Sequence, residues 1–478
     1  FTMRDPETAE EEKAKEEKRH VVLVNQQYKY SHLYVISFLE DEEGERKTQR
    51  LTSGNVHISA FDWSADGKTI AFAHQPDPRI NTSGLARDIA SVAADSGAVT
   101  QLVTWEGADN NPRYSPDGRW IAFTSNGGTE QRVGLSDLFV IPATGGTPKK
   151  LVETPDRGAS LLAWSADGKA VYISEGYKTL RRIYAVPTDS GKPMIVTEVD
   201  GVIGSAALNK ATDRMAFTFQ TPDIPVDLYT SAVQSFKMTK LTDLHRDINI
   251  PTIGRTELIH WKSFDGLEID GLLTYPIGYE EGKRYPLILN IHGGPSGMHA
   301  KSFTGNPSIY VIQFFAQQGY AILRPNPRGS SGYGKNFRYA NVKDWGFGDY
   351  EDVVSGVDTV IKMGIAHEDS LAVMGWSYGG YLTSYLVTKT QRFKAASVGA
   401  GLPSTTVHRC TASTPPSDPA SGTTSGSTGM SATRVRENDA AGSQDPSEHP
   451  ASSANSASDR ANGSPSRTAA NSASASRS

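Results

Sequence analysis

A serine framed by glycines carries the chemistry this sequence offers most plainly: Gly375-Trp376-Ser377-Tyr378-Gly379-Gly380. It lies between an apolar run, Leu371-Ala372-Val373-Met374, and a helix-like run from Tyr381 to Lys389. A serine on a sharp strand-to-helix turn projects its hydroxyl above the sheet, and side chains in place of the flanking glycines would collide with the neighbouring strand and helix. Gly-x-Ser-x-Gly also arises by chance in long chains, so the strand before it and the helix after it are what identify a nucleophile elbow. The chemistry expected of Ser377 is attack on a carbonyl carbon, with a covalent acyl intermediate.

A second segment points to the same chemistry. Tyr285 to Ile291 reads as a buried strand and runs directly into His292-Gly293-Gly294-Pro295. This resembles the oxyanion loop of hydrolases. Acyl transfer passes through a tetrahedral oxyanion, which is best met by backbone N–H groups free of side-chain obstruction. Gly294 and Tyr378 are the expected donors. The alternative is a tight Gly-Gly-Pro turn without a chemical role. His292, at the strand end, suits holding the loop by hydrogen bonds rather than serving as a base.

The elements that must position these residues fall in the second part of the chain. A hairpin is expected from Ile259 to Phe264 and Leu267 to Tyr275, turning at Asp265-Gly266. Strands and helices then alternate: a strand at Tyr320 to Leu323, an amphipathic helix at Tyr350 to Lys362, the elbow strand and helix, and a strand at Phe393 to Val398. That alternation is α/β architecture.

The first part is repetitive. Trp63-Ser-Ala-Asp-Gly-Lys68, Tyr114-Ser-Pro-Asp-Gly-Arg119 and Trp164-Ser-Ala-Asp-Gly-Lys169 recur at about fifty residues, each followed by a short strand and an outer hairpin. A degenerate fourth copy spans Leu208 to Arg214. Four-stranded units at this period imply a β-propeller, with Asp-Gly as turn chemistry and the aromatic packed between blades. An orphan hairpin from Leu33 to Thr52 precedes the first copy, so the propeller is expected to be partial and the chain truncated at its N-terminus. The charged run Glu10 to Arg19 reads as a solvated helix.

Propeller first and hydrolase second, with His292-Gly293-Gly294-Pro295, Asn326-Pro327-Arg328-Gly329-Ser330 and the Ser377 elbow in that order, resembles the prolyl oligopeptidase family of serine peptidases, on its acylaminoacyl-peptidase and dipeptidyl-aminopeptidase-like side. The resemblance covers approximately residues 20 to 403. It implies a propeller that admits only short peptides and a Ser-Asp-His triad, with Ser377 as nucleophile and Gly294 and Tyr378 as oxyanion donors. Arg328 either orients substrate or braces its loop through a carboxylate, and the bracing role is the one expected.

The pattern departs from the family beyond Ser404. Residues 405–478 contain no Leu, Ile, Phe, Tyr or Trp and are expected to be a disordered low-complexity tail, which leaves the hydrolase domain incomplete. In α/β hydrolases the acid and the histidine follow the serine. Here only His408 and His449 do so, and Asp418, Asp439 and Asp445, which precede His449, sit at no recognisable strand end. An out-of-frame translation of the true continuation would account for the switch.

The expected organisation is therefore a partial β-propeller with a charged N-terminal segment at 1–250, a truncated α/β-hydrolase domain at 251–404 and the tail at 405–478. Only 37% of the 478 residues are hydrophobic, and a net charge of −5 with no basic stripe favours neither nucleic acid nor an anionic membrane surface. Cys410 is the only cysteine, which excludes an intramolecular disulfide framework and a Cys-rich metal site. No cofactor or metal is called for, no apolar run approaches a membrane span, and a cytoplasmic home is the default. Short peptides are the expected substrates, and a homo-oligomer is left open. The expected function is serine-type peptide hydrolysis, impaired as written; the alternatives are a carboxylesterase, or a non-catalytic pseudoenzyme or protein-binding module.

Overall fold

The computed structural model describes residues 1–21, 28–127, 134–306, 308–401 and 432–433. The repeat turn shows why the first part folds as it does. In each copy the serine hydroxyl bonds the aspartate (Ser64 Oγ to Asp66 Oδ1 2.7 Å, Ser115 to Asp117 2.6 Å, Ser165 to Asp167 2.7 Å). The aspartate in turn accepts the N–H two residues on, and the glycine between them takes a positive φ of 69 to 70°. This closed Asx-type turn ends one strand and starts the next.

A short sheet comes first, with β1 (Thr2–Arg4), β2 (Ser31–Ile36) and β3 (Thr48–Arg50) antiparallel; β1 supplies the orphan hairpin with a partner not evident in the sequence. Helix α1 (Ala9–Glu16) carries the charged run, is closed by a capping box at Thr8 and Glu11 and buries no residue. Four antiparallel four-stranded blades follow. The first is β4 (His57–Trp63), β5 (Thr69–Gln75), β6 (Ala86–Ala93) and β7 (Val99–Val103), with the short α2 (Ile80–Ser83) between β5 and β6. The second is β8 (Gly107–Tyr114), β9 (Trp120–Ser125), β10 (Asp137–Pro142) and β11 (Lys149–Lys150). The third is β12 (Ser160–Trp164), β13 (Ala170–Tyr177), β14 (Leu180–Pro187) and β15 (Met194–Ile195). The fourth is β16 (Val202–Leu208), β17 (Arg214–Gln220), β18 (Asp227–Ala232) and β19 (Thr239–Lys240). Among the described residues these sheets do not close into a ring.

The repeated aromatic packs between blades at two of the three sites. Trp164 is 5% exposed among residues of the second and third blades and donates its indole N–H to Arg113 O at 2.9 Å. Tyr114 is 9% exposed and meets Thr69 Oγ1 of the first blade at 3.0 Å. Trp63 departs from the expectation and is 43% exposed. It belongs to the first of the four blades, which among the described residues follows the three-stranded sheet.

The second part builds on one mixed sheet in the order β20-β21-β23-β22-β24-β25-β26. Its strands are β20 (Thr256–Lys262), β21 (Glu268–Thr274), β22 (Tyr285–Ile291), β23 (Ala321–Asn326), β24 (Ala366–Trp376), β25 (Phe393–Gly399) and β26 (Ala432–Thr433). The strands β23, β22, β24 and β25 are parallel neighbours; β22 and β23 are buried on both faces, as central parallel strands must be, whereas β25 leaves Lys394 and Ala395 exposed. Helices α5 (Gly348–Lys362) and α6 (Tyr378–Lys389) cover one face, over a core that includes Leu289, Ile291, Val373, Val357 and Leu382. Helix α3 (Ile312–Gln317) covers the other beside Ile288, Ile322 and Met374, while α4 (Gly334–Tyr339) follows the β23 loop. Of the stretch 405–478, expected to be disordered, only β26 is described, as an antiparallel partner of β25. The remainder lies outside the described residues.

Candidate active site

The elbow forms as its residues dictate. Strand β24 ends at Trp376 and α6 begins at Tyr378, so Ser377 alone makes the turn, with φ 57° and ψ −120°, a backbone conformation that L-residues rarely adopt. Its N–H donates to Gly399 O at 2.8 Å, and its carbonyl accepts the Tyr381 N–H at 2.9 Å. The turn is tight enough that a Cβ on Gly375 would overlap the Gly379 carbonyl, and one on Gly379 would overlap Ile291 O. Ser377 is exposed, and its hydroxyl has no hydrogen-bond partner among the described residues.

The Gly-Gly loop lies against this turn. A Cβ on Gly293 would come within 3.0 Å of Trp376 O and 3.3 Å of Ser377 Cβ, so the absence of a side chain there keeps the serine accessible. Gly294 is the next residue, with φ 139°. His292 is buried, its Nδ1 2.9 Å from Gly293 O and its Nε2 3.0 Å from Ser330 Oγ; burial lowers its pKa. Nδ1 is engaged by the loop's own backbone and Nε2 ties the loop to the segment after β23, the holding role expected for this residue. His299 stacks edge-on to it at 5.1 Å, with Nε2 3.1 Å from Asn290 O, and burial places its pKa well below the usual histidine value. His408, His449, Asp418, Asp439 and Asp445 lie outside the described residues.

Arg328 braces. It is buried, chelates Asp352 through Nε and Nη2 at 3.0 and 2.9 Å, meets Asp265 at 3.0 Å, and lies over the Phe264 ring. Burial alone would lower its pKa, but the two carboxylates outweigh burial and raise it. Its own N–H also donates to Asp352 at 2.8 Å, so the loop is pinned through both backbone and side chain.

The side chain of Tyr378 belongs to a network that the sequence reading missed. Its hydroxyl donates to Asp349, which also accepts from the N–H groups of Gly346 and Tyr350 at 2.8 and 2.9 Å. Asn341 donates to the same hydroxyl at 3.0 Å and to Arg328 O at 3.1 Å. Asp349 is fully buried, and burial pushes its pKa up to about 6 against the hydrogen bonds that lower it. The N-terminus of α6 is thus tied to α5 and to the Arg328 loop. A signal was present: Asp349 and Asp352 fall on the same helical stripe as Val353, Gly356, Val357 and Val360, and an acid on a buried stripe requires partners.

Blades followed by a mixed sheet whose parallel centre carries a strand ending in a serine elbow define a propeller–α/β-hydrolase fold. Residues 307–422 match the model of the prolyl oligopeptidase family. It is 31% identical over 433 residues to the uncharacterized peptidase YuxL of Bacillus subtilis, covering 76% of this chain and 63% of that protein. To dipeptidyl-peptidase 5 of Trichophyton equinum it is 27% identical over 361 residues, covering 68% of this chain and 47% of the relative. The chain therefore spans between about half and two thirds of the length of these relatives. Among solved structures, Pyrococcus horikoshii acylaminoacyl peptidase superposes with a TM-score of 0.58 at 18% identity, over 77% of this chain and 66% of the other. A puromycin-hydrolyzing peptidase of Mycobacterium tuberculosis gives 0.56 at 20%, over 73% and 54%.

Proposed function

We propose that the protein is a serine peptidase of short peptides, related in action to dipeptidyl and acylaminoacyl peptidases, with residues 1–250 as the blade domain and 251–404 as the hydrolase domain. The observation that carries the reading is the Ser377 turn, with an exposed hydroxyl and the side-chain-free Gly293 packed against it. In this reading Ser377 Oγ attacks the peptide carbonyl, and the N–H groups of Gly294 and Tyr378 receive the oxyanion. Tyr378 N–H opens α6, where the first amide donors of a helix have no intrahelical acceptor. The Asp349 network fixes its position, and His292 and Arg328 hold the loops on either side. The alcohol proton must pass to a general base and then to the leaving amine; among the described residues no side chain bonds Ser377 Oγ to serve as that base.

A non-catalytic binding role is the second reading, favoured by the lack of any partner for Ser377 Oγ among the described residues. Labelling of the purified chain with a fluorophosphonate probe, beside Ser377→Ala, separates the two. Labelling lost in the variant is expected; a folded chain that does not react refutes the catalytic reading. Peptide and ester substrates assayed together then test it against a carboxylesterase.

A further inference from the structure

A cavity of about 290 Å³ lies where the third blade meets the hydrolase sheet, walled by Asp156, Arg181, Ser296, Met298, Ser331 and Arg338. Its walls are fixed by bonds across the seam: Lys178 N–H to Gly332 O at 2.7 Å, Lys301 N–H to Thr179 O at 2.8 Å, and the buried ion pair of Arg338 with Asp156. Room inside comes from a glycine. Gly176 stands directly opposite Arg181 in the β13–β14 ladder, so the two project from the same face, and only the arginine has a side chain to fill it. A Cβ on Gly176 would already lie 3.5 Å from Met298 Sδ and Gly332 Cα.

Among the side chains that line this space, two are guanidinium groups and one is a carboxylate. Asp156 is consumed, one oxygen by Arg338 and the other by the Gly334 N–H at 2.9 Å. Glu175, beside Gly176, is fully buried and accepts from Thr154 Oγ1 and from the N–H groups of Asp156 and Gly158. Arg338 keeps a buried Nε without a partner among the described residues. Arg181 is half-buried and has neither a hydrogen bond nor an ion pair among them. Arg181 and Arg338 thus line the cavity with one carboxylate, Asp156, which is already occupied, while Glu175 behind the wall is engaged by Thr154 and backbone N–H groups; a guanidinium presents a planar fork that matches a further carboxylate.

The wall is also continuous with the catalytic loop. Ser296-Gly297-Met298 follows Gly293-Gly294-Pro295, Gly297 packs against Gly293, and Gly293 packs against Ser377. Ser331 fixes the stretch by N–H to Gly297 O at 2.9 Å and Oγ to Ser296 O at 2.6 Å.

We propose that this cavity is a carboxylate subsite, in which Arg181 of the third blade holds the free carboxylate of a short peptide. The inference rests on the peptidase reading and narrows its substrates to peptides bearing a carboxylate near the bond cleaved.

The test is calorimetric titration of the full chain carrying Ser377→Ala with three peptides: N-acetyl-dialanine as the free acid, the same peptide as its amide, and N-acetyl-alanyl-glutamate amide. The expected result is that a carboxylate-bearing peptide binds at least tenfold more tightly than the neutral amide. Arg181→Met is expected to remove the preference and Arg181→Lys to keep part of it. Preference for the free acid identifies a chain terminus, and preference for the glutamate peptide an acidic side chain. Equal affinity for all three peptides, no binding of any, or a preference that survives Arg181→Met overturns the proposal. The acid-to-amide comparison needs no change at Arg181, so a variant that fails to fold leaves the test intact. Fluorophosphonate labelling of the chain with Ser377 present is independent of Arg181. Labelling without carboxylate preference overturns this inference alone, and preference without labelling overturns the peptidase reading alone.

Discussion

Replacing Asp349 with asparagine removes a buried charge from beneath the elbow while preserving shape. The carboxyl has a pKa of about 6 in the folded chain against an ordinary 3.8, because burial penalises its charged form more than Tyr378, Gly346 and Tyr350 stabilise it. A carboxyl with a raised folded pKa binds its proton more tightly in the native state. Its contribution to stability is therefore complete below pH 3.8 and is lost as pH rises through about 6. At about 1.4 kcal/mol per pH unit, the whole effect is about 3 kcal/mol, of which about 2.5 kcal/mol falls between pH 4 and 7. Asparagine cannot titrate, so in Asp349→Asn this contribution vanishes. Urea unfolding of both proteins at pH 4, 5, 6 and 7 measures it: the stability of wild type relative to the variant should fall by about 2.5 kcal/mol across that range. Taking the difference cancels other groups in the same window, including Asp109 of the second blade, which burial also raises to about 6. A difference that is constant with pH would refute the assignment of a buried carboxyl with a raised pKa to this position.

Two further substitutions probe the scaffold around the serine. Gly375→Ala should abolish fluorophosphonate labelling, because its Cβ overlaps the Gly379 carbonyl and α6 must shift away, whereas a surface Gly282→Ala should leave labelling intact; equal labelling of both would mean the turn is looser than described. Arg328→Met strands Asp352, which has no exposure, and should cost about 3–5 kcal/mol in thermal or urea unfolding, with Asp352→Asn in the same chain recovering part of it. A loss under about 1 kcal/mol would show that Arg328 is not the brace of its loop.

Much of this organisation could be read from the residues because it rests on local rules. The serine, aspartate and glycine of each repeat bond only to neighbours within five positions, so Trp63, Tyr114 and Trp164 mark blade turns in the sequence as they do in space. Strand β22 and the elbow at Ser377 were equally plain, since an apolar run ending at glycines and resuming as a helix has few other outcomes. The strands that pair far along the chain were less legible. β1 finds β2 across about thirty residues, and nothing in Thr2-Met3-Arg4 specifies that partner.

The blades, the order of blade and hydrolase segments, and the place of Ser377 on its turn are legible in the residues, because each follows from periodicity or turn chemistry acting over a few positions. Only the tertiary structure decided which polar groups meet. Asp349 with Tyr378, Arg328 between Asp352 and Asp265, and Arg338 with Asp156 come from segments tens to nearly two hundred residues apart. The physical reason is that hydrogen bonds and ion pairs are specific in space but leave no period in the chain. Their partners are chosen by how the sheets pack, and burial then sets the charge each group can carry.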